Sequence, residues 1–395
     1  MEFNVRAEMH GAAEDGYGKV ADAFAENFTR HDELGAALVV YVGGRKVVDL
    51  WGGIADRRSQ RPWAEDTPAV VFSVTKGVLA ICAYQLEGQG RLDFDAPVVH
   101  YWPEFGAHGK ADITVRMLLS HQAGLSALDG QLSRTEALNW EPVIRAIERQ
   151  APLWDPRSGH DYHTMTYGWL IGEVIRRITG LTPGAFLRAE LCGPMGLDFW
   201  IGAPPSAIER AAWLEPPLSD PDPELATVIL DWLAGEPHAD RAGTTSGAFA
   251  FPVEDGEVTF NAPDIQRAEV LGANGIGTAD SLARMYSACV VARDGIRLMS
   301  PERVEDALVV RASGRQVFGP PDRGERWGTG FSLDSPPAMP LLGPGSFGHG
   351  GAGGELAFAD DTSKVGFGYI NNRMGGIGDP RATLLIAALR SCLRG

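Results

Sequence analysis

The order in which β-like and helix-like segments follow one another constrains this chain most. β-rich apolar runs stand near both ends of its 395 residues, and helical pieces with long irregular loops fill the middle. Residues 36–42 and 46–51 are apolar runs around Gly43-Gly44, a hairpin signal because paired glycines supply the positive φ of a tight turn. A helix suits residues 15–30 before them. Val70-Val71-Phe72 leads into a helical pattern that opens at Ser73. Val74, Val78, Leu79, Cys82 and Leu86 share one 3.6-period face, and Gly88 and Gly90 end it. Near the other end, residues 326–333, 346–349, 355–359 and 364–371 are strand candidates, and Asp379-Pro380 caps a last helix reaching Cys392. Strands at both ends pair most simply as one antiparallel sheet with helices packed on it. The expected class is α/β of the α+β type, with residues 1–90 and 265–395 in one domain. Residues 91–264 form an inserted helical and loop domain. In that insert Thr182-Pro183 is an N-cap and N1 pair. Pro204, Pro205, Pro216, Pro217, Pro221, Pro223 and Pro237 enforce loop around a short helix at 224–233.

Bulk properties exclude several function classes. The formal charge of −16 repels phosphate backbones, so a nucleic-acid partner is not expected. No run of about eighteen apolar residues is present, so no helix is expected to span a membrane. Residues 1–8 are mixed and charged, unlike a signal peptide. Cys82, Cys192, Cys289 and Cys392 are far apart and lack metal-ligand spacing. They read as reduced thiols in or near the core of a cytoplasmic protein.

Ser73-Val74-Thr75-Lys76 is the single S-x-x-K of the chain. Residues i and i+3 share a helix face, so the Lys76 amine can reach the Ser73 hydroxyl. Serine needs a nearby base to act as a nucleophile, and a desolvated lysine can be one. The helix N-terminus adds a positive dipole and a free N–H at Ser73, suited to half of an oxyanion hole. One S-x-x-K per chain of this length is expected by chance. Its place, after an apolar strand and at the start of an apolar helix, lifts it above chance.

Further motifs follow in order. Residues 116–125 read Arg-Met-Leu-Leu-Ser-His-Gln-Ala-Gly-Leu, residues 162–170 run from Tyr162 through Thr164 into a helical pattern, and residues 347–354 read Phe-Gly-His-Gly-Gly-Ala-Gly-Gly. From about Gly35 to the C-terminus the chain resembles the β-lactamase and penicillin-binding-protein superfamily, and most closely the family VIII carboxylesterases. The resemblance implies a β-lactamase-like fold, acylation of Ser73, and Lys76 and Tyr162 as a proton relay. It places Thr164 where the family has asparagine. His349-Gly350-Gly351 stands where the family has Lys-Thr-Gly, and the Ala352 N–H becomes the second oxyanion donor. The family lysine binds the carboxylate of β-lactams; a mostly neutral histidine shifts the expectation to neutral esters. Which of Lys76 and Tyr162 is the base stays open.

The implied substrate is a small-molecule ester, with no cofactor and no obligate protein partner. A β-lactamase or D-amino-acid peptidase on the same machinery is the alternative, and a non-catalytic scaffold is the second. Several patterns read as structural. Tyr369-Ile370-Asn371 is a literal Tyr-x-Asn on a period-2 strand, out of order for the family. Ser120-His121 cannot form a dyad on a helix and closes one instead. His160-Asp161-Tyr162-His163 lacks a further ligand group for a metal. The glycine pattern at 348–353 precedes β-like sequence, so it does not suit a dinucleotide. G-x-S-x-G is absent.

Overall fold

The computed structural model describes residues 8–293 and 295–394. The reading of a charged, leaderless start at residues 1–7 lies outside them. In chain order the elements that frame the site are β1 (Met9–Ala13), α1 (Gly18–Arg30), β2 (Gly35–Val42) and β3 (Arg45–Asp56). Then come α2 (Val74–Gly88), α3 (Val115–Leu119), α4 (Thr166–Thr179), α5 (Pro223–Gly235), α6 (Pro237–Thr244) and α7 (Ala279–Val290). The last are β4 (Ala312–Ser313), β5 (Arg326–Trp327), β6 (Ser332–Leu333), β7 (Ser346–Gly350), β8 (Leu356–Asp360), β9 (Val365–Asn371) and α8 (Arg381–Leu393).

One ten-stranded sheet runs β1-β3-β2-β9-β8-β7-β6-β5-β4, with Arg61–Pro62 paired on β3. All its pairings are antiparallel. The two chain ends meet where β2 pairs with β9, Ala36 opposite Asn371 and Val42 opposite Val365. Strand alternation explains the burial of both faces. Leu38 and Val40 join Val20 and Phe24 of α1 and Leu385 and Leu389 of α8 in one apolar layer. Ala37, Val39 and Tyr41 face the other way, into a core shared with α2 and α7. Helix α7 lies directly on β9 because that strand offers two glycines. A Cβ on Gly366 would stand 2.4 Å from the Ala283 carbonyl oxygen, and one on Gly368 2.4 Å from that of Ala279.

Helix α2 is buried on nearly all sides and packs between β7 and α4. The same apolar cluster continues from the sheet through α2 to Ile144, Ile171 and Phe249, which lie between α3 and α7 in the chain. A small three-stranded sheet ties Ala69–Val70 to Ile276–Gly277 and Phe199–Trp200. It anchors the approach to α2. Residues 326–333 do not form the single strand expected. They fold as β5 and β6 about a tight turn, where the Gly328 amide donates to the Phe331 carbonyl at 2.8 Å and Gly330 takes φ +88°. Glycines at 328 and 330 make that reversal possible. The cysteines are free, three of them buried. Among the described residues no helix is long and apolar enough to cross a membrane.

Candidate active site

The approach to Ser73 is strained. Phe72 has φ +42°, a left-handed conformation that costs a non-glycine residue about 1–3 kcal/mol. Its surroundings enforce it. The ring is buried edge-on against Phe260 at 5.2 Å, the Val71 amide donates to Gly275 O at 2.9 Å, and Thr75 Oγ1 donates to Phe72 O at 2.6 Å. The kink puts half-buried Ser73 at the N-cap of α2.

Lys76 follows one turn on. Its Nζ lies 3.0 Å from Ser73 Oγ and donates to the Gly272 carbonyl at 2.6 Å. The side chain is fully buried, and among the described residues no carboxylate pairs with it. Burial therefore pushes its pKa well below that of an ordinary lysine. The Gly272 carbonyl is held in place from two sides. Asn274 Nδ2 donates to Ile265 O at 2.7 Å and Ala268 O at 2.6 Å, fastening the loop. Gly168 of α4 abuts it so closely that a Cβ there would stand 2.4 Å from Gly272 N.

Tyr162 reaches the same point from the irregular segment ahead of α4. Its ring stacks on Trp327 at 5.1 Å and 21°, touches His121 at 4.8 Å, and lies 4.9 Å from Lys76 Nζ. Its amide donates to Gln316 Oε1 at 2.8 Å. Burial raises the phenol pKa above its usual range, with Ser73 pulling the other way. Thr164 lies nearby but turns its hydroxyl toward the Tyr162 carbonyl at 3.5 Å, and no bond to Ser73 or Lys76 is present among the described residues.

His349 on β7 completes the cluster, its ring 6.0 Å from Tyr162 and 5.8 Å from Trp327. A carbonyl can only accept, so the 2.8 Å contact with Gly350 O places the ring proton on Nδ1. Nε2 is left buried without a partner among the described residues. Burial, and then Lys76, push the ring down to about 3, so it stands neutral. Past Gly350 and Gly351 the chain turns at Ala352. Among the described residues neither the Ala352 nor the Ser73 amide finds a protein acceptor.

Sequence reasoning missed several neighbours. Trp327 forms the floor under Tyr162. His121, set aside as half of a dyad, packs against Tyr162, Tyr167 at 5.1 Å and Trp327 at 4.6 Å. Its Nδ1 accepts the His163 amide at 3.2 Å, and burial holds it neutral. The run Ser120-His121-Gln122 carried that signal, because His121 takes φ +63° just past α3 and swings its ring inward. Ser120 turns its hydroxyl to Arg116 O and Gln122 instead. Tyr369 is a buried strand residue bonded to Glu33, far from this chemistry in role. Among the described residues no group of three or more side chains suits a metal.

A family model described as Beta-lactamase matches residues 20–390. The chain belongs to that family. It is 37% identical over 373 residues to the Esterase/beta-lactamase LipL of Mycobacterium tuberculosis, covering 93% of this chain and 83% of that protein. A solved family VIII carboxylesterase is similar with TM-score 0.85 and 32% identity, over 98% of this chain and 100% of that one. A penicillin-binding protein homolog from Caulobacter crescentus gives TM-score 0.84 and 35% identity, over 98% and 100%. The antiparallel sheet with its flanking helices is the β-lactamase-like fold, and the chain is a hydrolase of this serine enzyme family.

Proposed function

We propose that this β-lactamase-family protein is a carboxylesterase that forms an acyl-enzyme on Ser73. The observation that carries the reading is the Lys76 amine, buried with no carboxylate paired to it among the described residues and 3.0 Å from Ser73 Oγ. Burial moves Lys76 and Tyr162 in opposite directions in pKa, and such a split supports reading Lys76 as the base and Tyr162 as the acid. A neutral amine donates one N–H to Gly272 O and keeps its lone pair for the serine proton. A phenol that resists ionisation is suited to donate. Lys76 therefore takes the Ser73 proton as Oγ attacks the ester carbonyl. The oxyanion rests on the Ser73 and Ala352 amides, and the alcohol departs with the proton of Tyr162, which is replenished through Lys76. Water then attacks the acyl-enzyme by the reverse route, releasing the acid and restoring Ser73. The scheme uses side chains and backbone amides alone. In this reading 1–90 with 265–395 supply Ser73, Lys76 and the β7 edge, and the lobe at 91–264 supplies Tyr162 and Thr164.

The surroundings favour neutral esters. A cavity of about 250 Å³ beside Tyr162 and Thr164 is walled by Trp232, Ala242, Phe318 and Trp327, and among the described residues no lysine or arginine lines it. With His349 neutral, the β7 position where the family has lysine presents no charge to a substrate carboxylate.

The test is fluorophosphonate labelling followed by peptide mass spectrometry, then a panel of p-nitrophenyl esters, a cephalosporin and a D-amino-acid amide. Label on Ser73, lost in Ser73→Ala along with all but about a thousandth of the rate, supports the reading. Label elsewhere overturns the nucleophile. Faster turnover of the cephalosporin or amide than of every short ester overturns the substrate class.

A further inference from the structure

Behind the turn that carries Ala352 stands a carboxyl the scheme above does not use. Glu355 is 1% exposed. Its carbonyl oxygen accepts the Gly351 amide at 2.7 Å, and its side-chain Oε2 accepts the Gly353 amide at 3.0 Å. One residue thus grips the chain on both sides of Ala352. The Gly354 amide closes the turn onto Gly351 O at 3.1 Å. The carboxyl also occupies the hollow of the turn. A Cβ on Gly351 would stand 2.3 Å from Oε2, and one on Gly353 2.4 Å from Oε1.

Among the described residues no guanidinium bonds this carboxyl. Arg381 instead pairs with Glu33 at 2.8 Å and Asp379 at 2.8 Å. Glu355 Oε1 has no hydrogen-bond partner among the described residues. An unpaired buried carboxyl is costly to the fold, so its place under this turn calls for a reason beyond stability. The turn itself supplies one. Gly350, Gly351, Gly353 and Gly354 surround Ala352, and glycine backbones keep the most freedom when untethered. An oxyanion donor works only when its N–H is aimed in advance.

We propose that Glu355 is the positioning residue of the oxyanion hole: its carboxyl holds the Gly351–Gly354 turn so that the Ala352 amide points at the substrate oxygen. The inference rests on the reading of Ala352 as second donor. Loss of aim weakens an interaction made in the transition state, so kcat falls and KM does not.

The experiment compares Glu355→Gln, which keeps an acceptor of the same length, with Glu355→Met, which fills the space without an acceptor. Each full-length variant is assayed on p-nitrophenyl butyrate and on the matching thionoester, whose sulfur is a poor partner for oxyanion donors. The wild type should prefer the oxygen ester strongly. Glu355→Met should lower kcat on it about ten- to a hundredfold, with KM within about threefold, and shrink the preference for oxygen over sulfur by about tenfold. Glu355→Gln should stay within about threefold of wild type in both. A Met variant with unchanged preference overturns the role of Glu355 and leaves the Ala352 reading standing. A wild type with no oxygen preference overturns the Ala352 reading itself. If the Met variant does not fold, a drop of more than about tenfold in kcat for Glu355→Gln still overturns the proposal.

Discussion

Replacing Glu355 by glutamine should change how the fold responds to pH. Burial pushes the Glu355 carboxyl up to about 8, while the Gly353 amide and Arg381 offset only part of that push. In the unfolded chain the same group titrates near 4.5. Between those values the folded protein holds a proton that the unfolded chain has released. Stability from this group is therefore fully present below about pH 4.5 and is lost as pH rises toward 8. The slope is about 1.4 kcal/mol per pH unit, and the whole window amounts to on the order of 5 kcal/mol. Glutamine has no such proton. Lys76, His163 and His349 also carry pH-dependent terms, but both proteins share them, so they cancel in the difference. Guanidinium unfolding, followed by tryptophan fluorescence from about pH 6 to about pH 9, gives that difference directly. The stability of Glu355→Gln relative to wild type should climb by about 1.4 kcal/mol per unit up to about pH 8 and then level off. Two parallel stability profiles would show that Glu355 is ionised in the folded protein. The argument that desolvation outweighs Arg381 would then fail.

Lys76→Ala and Tyr162→Phe should each remove most of the esterase rate, and the double variant should lose far less than the product, because relay partners are non-additive; clean additivity in kcat/KM would separate their roles. His349→Lys should raise turnover of a carboxylate-bearing cephalosporin relative to p-nitrophenyl butyrate by about ten- to a hundredfold, the worth of one charge-assisted hydrogen bond; a shift further toward esters counts against the reading of His349. Gly168→Ala should destabilise the fold by about 1–3 kcal/mol through overpacking against Gly272 N, and should lower kcat as the Gly272 carbonyl moves off Lys76; unfolding midpoints and kinetics that match wild type would show that the loop yields freely.

Local periodicity made much of this protein legible from its sequence. The S-x-x-K pair reads directly, because the helix repeat puts Ser73 and Lys76 on one face whatever surrounds them. Strands β2, β3, β7, β8 and β9 read from alternation and β-branched runs, and their places at both chain ends implied one shared sheet. Tyr162 was visible only through family resemblance, since a tyrosine ahead of a helix has no local mark of chemistry. The misread segment 326–333 shows the limit of pattern. Its composition suits a strand, and two glycines fold it back on itself. Tertiary structure alone decided the rest. Trp327, His121 and Gln316 come from distant segments to pack and hold Tyr162, and their spacing along the chain records nothing of that. The charge states of Lys76, His349 and Glu355 are likewise absent from the sequence, because a pKa follows from how much water the fold removes and which dipoles it leaves behind. A helix repeat acts over a few bonds, whereas desolvation is a property of everything packed around the group.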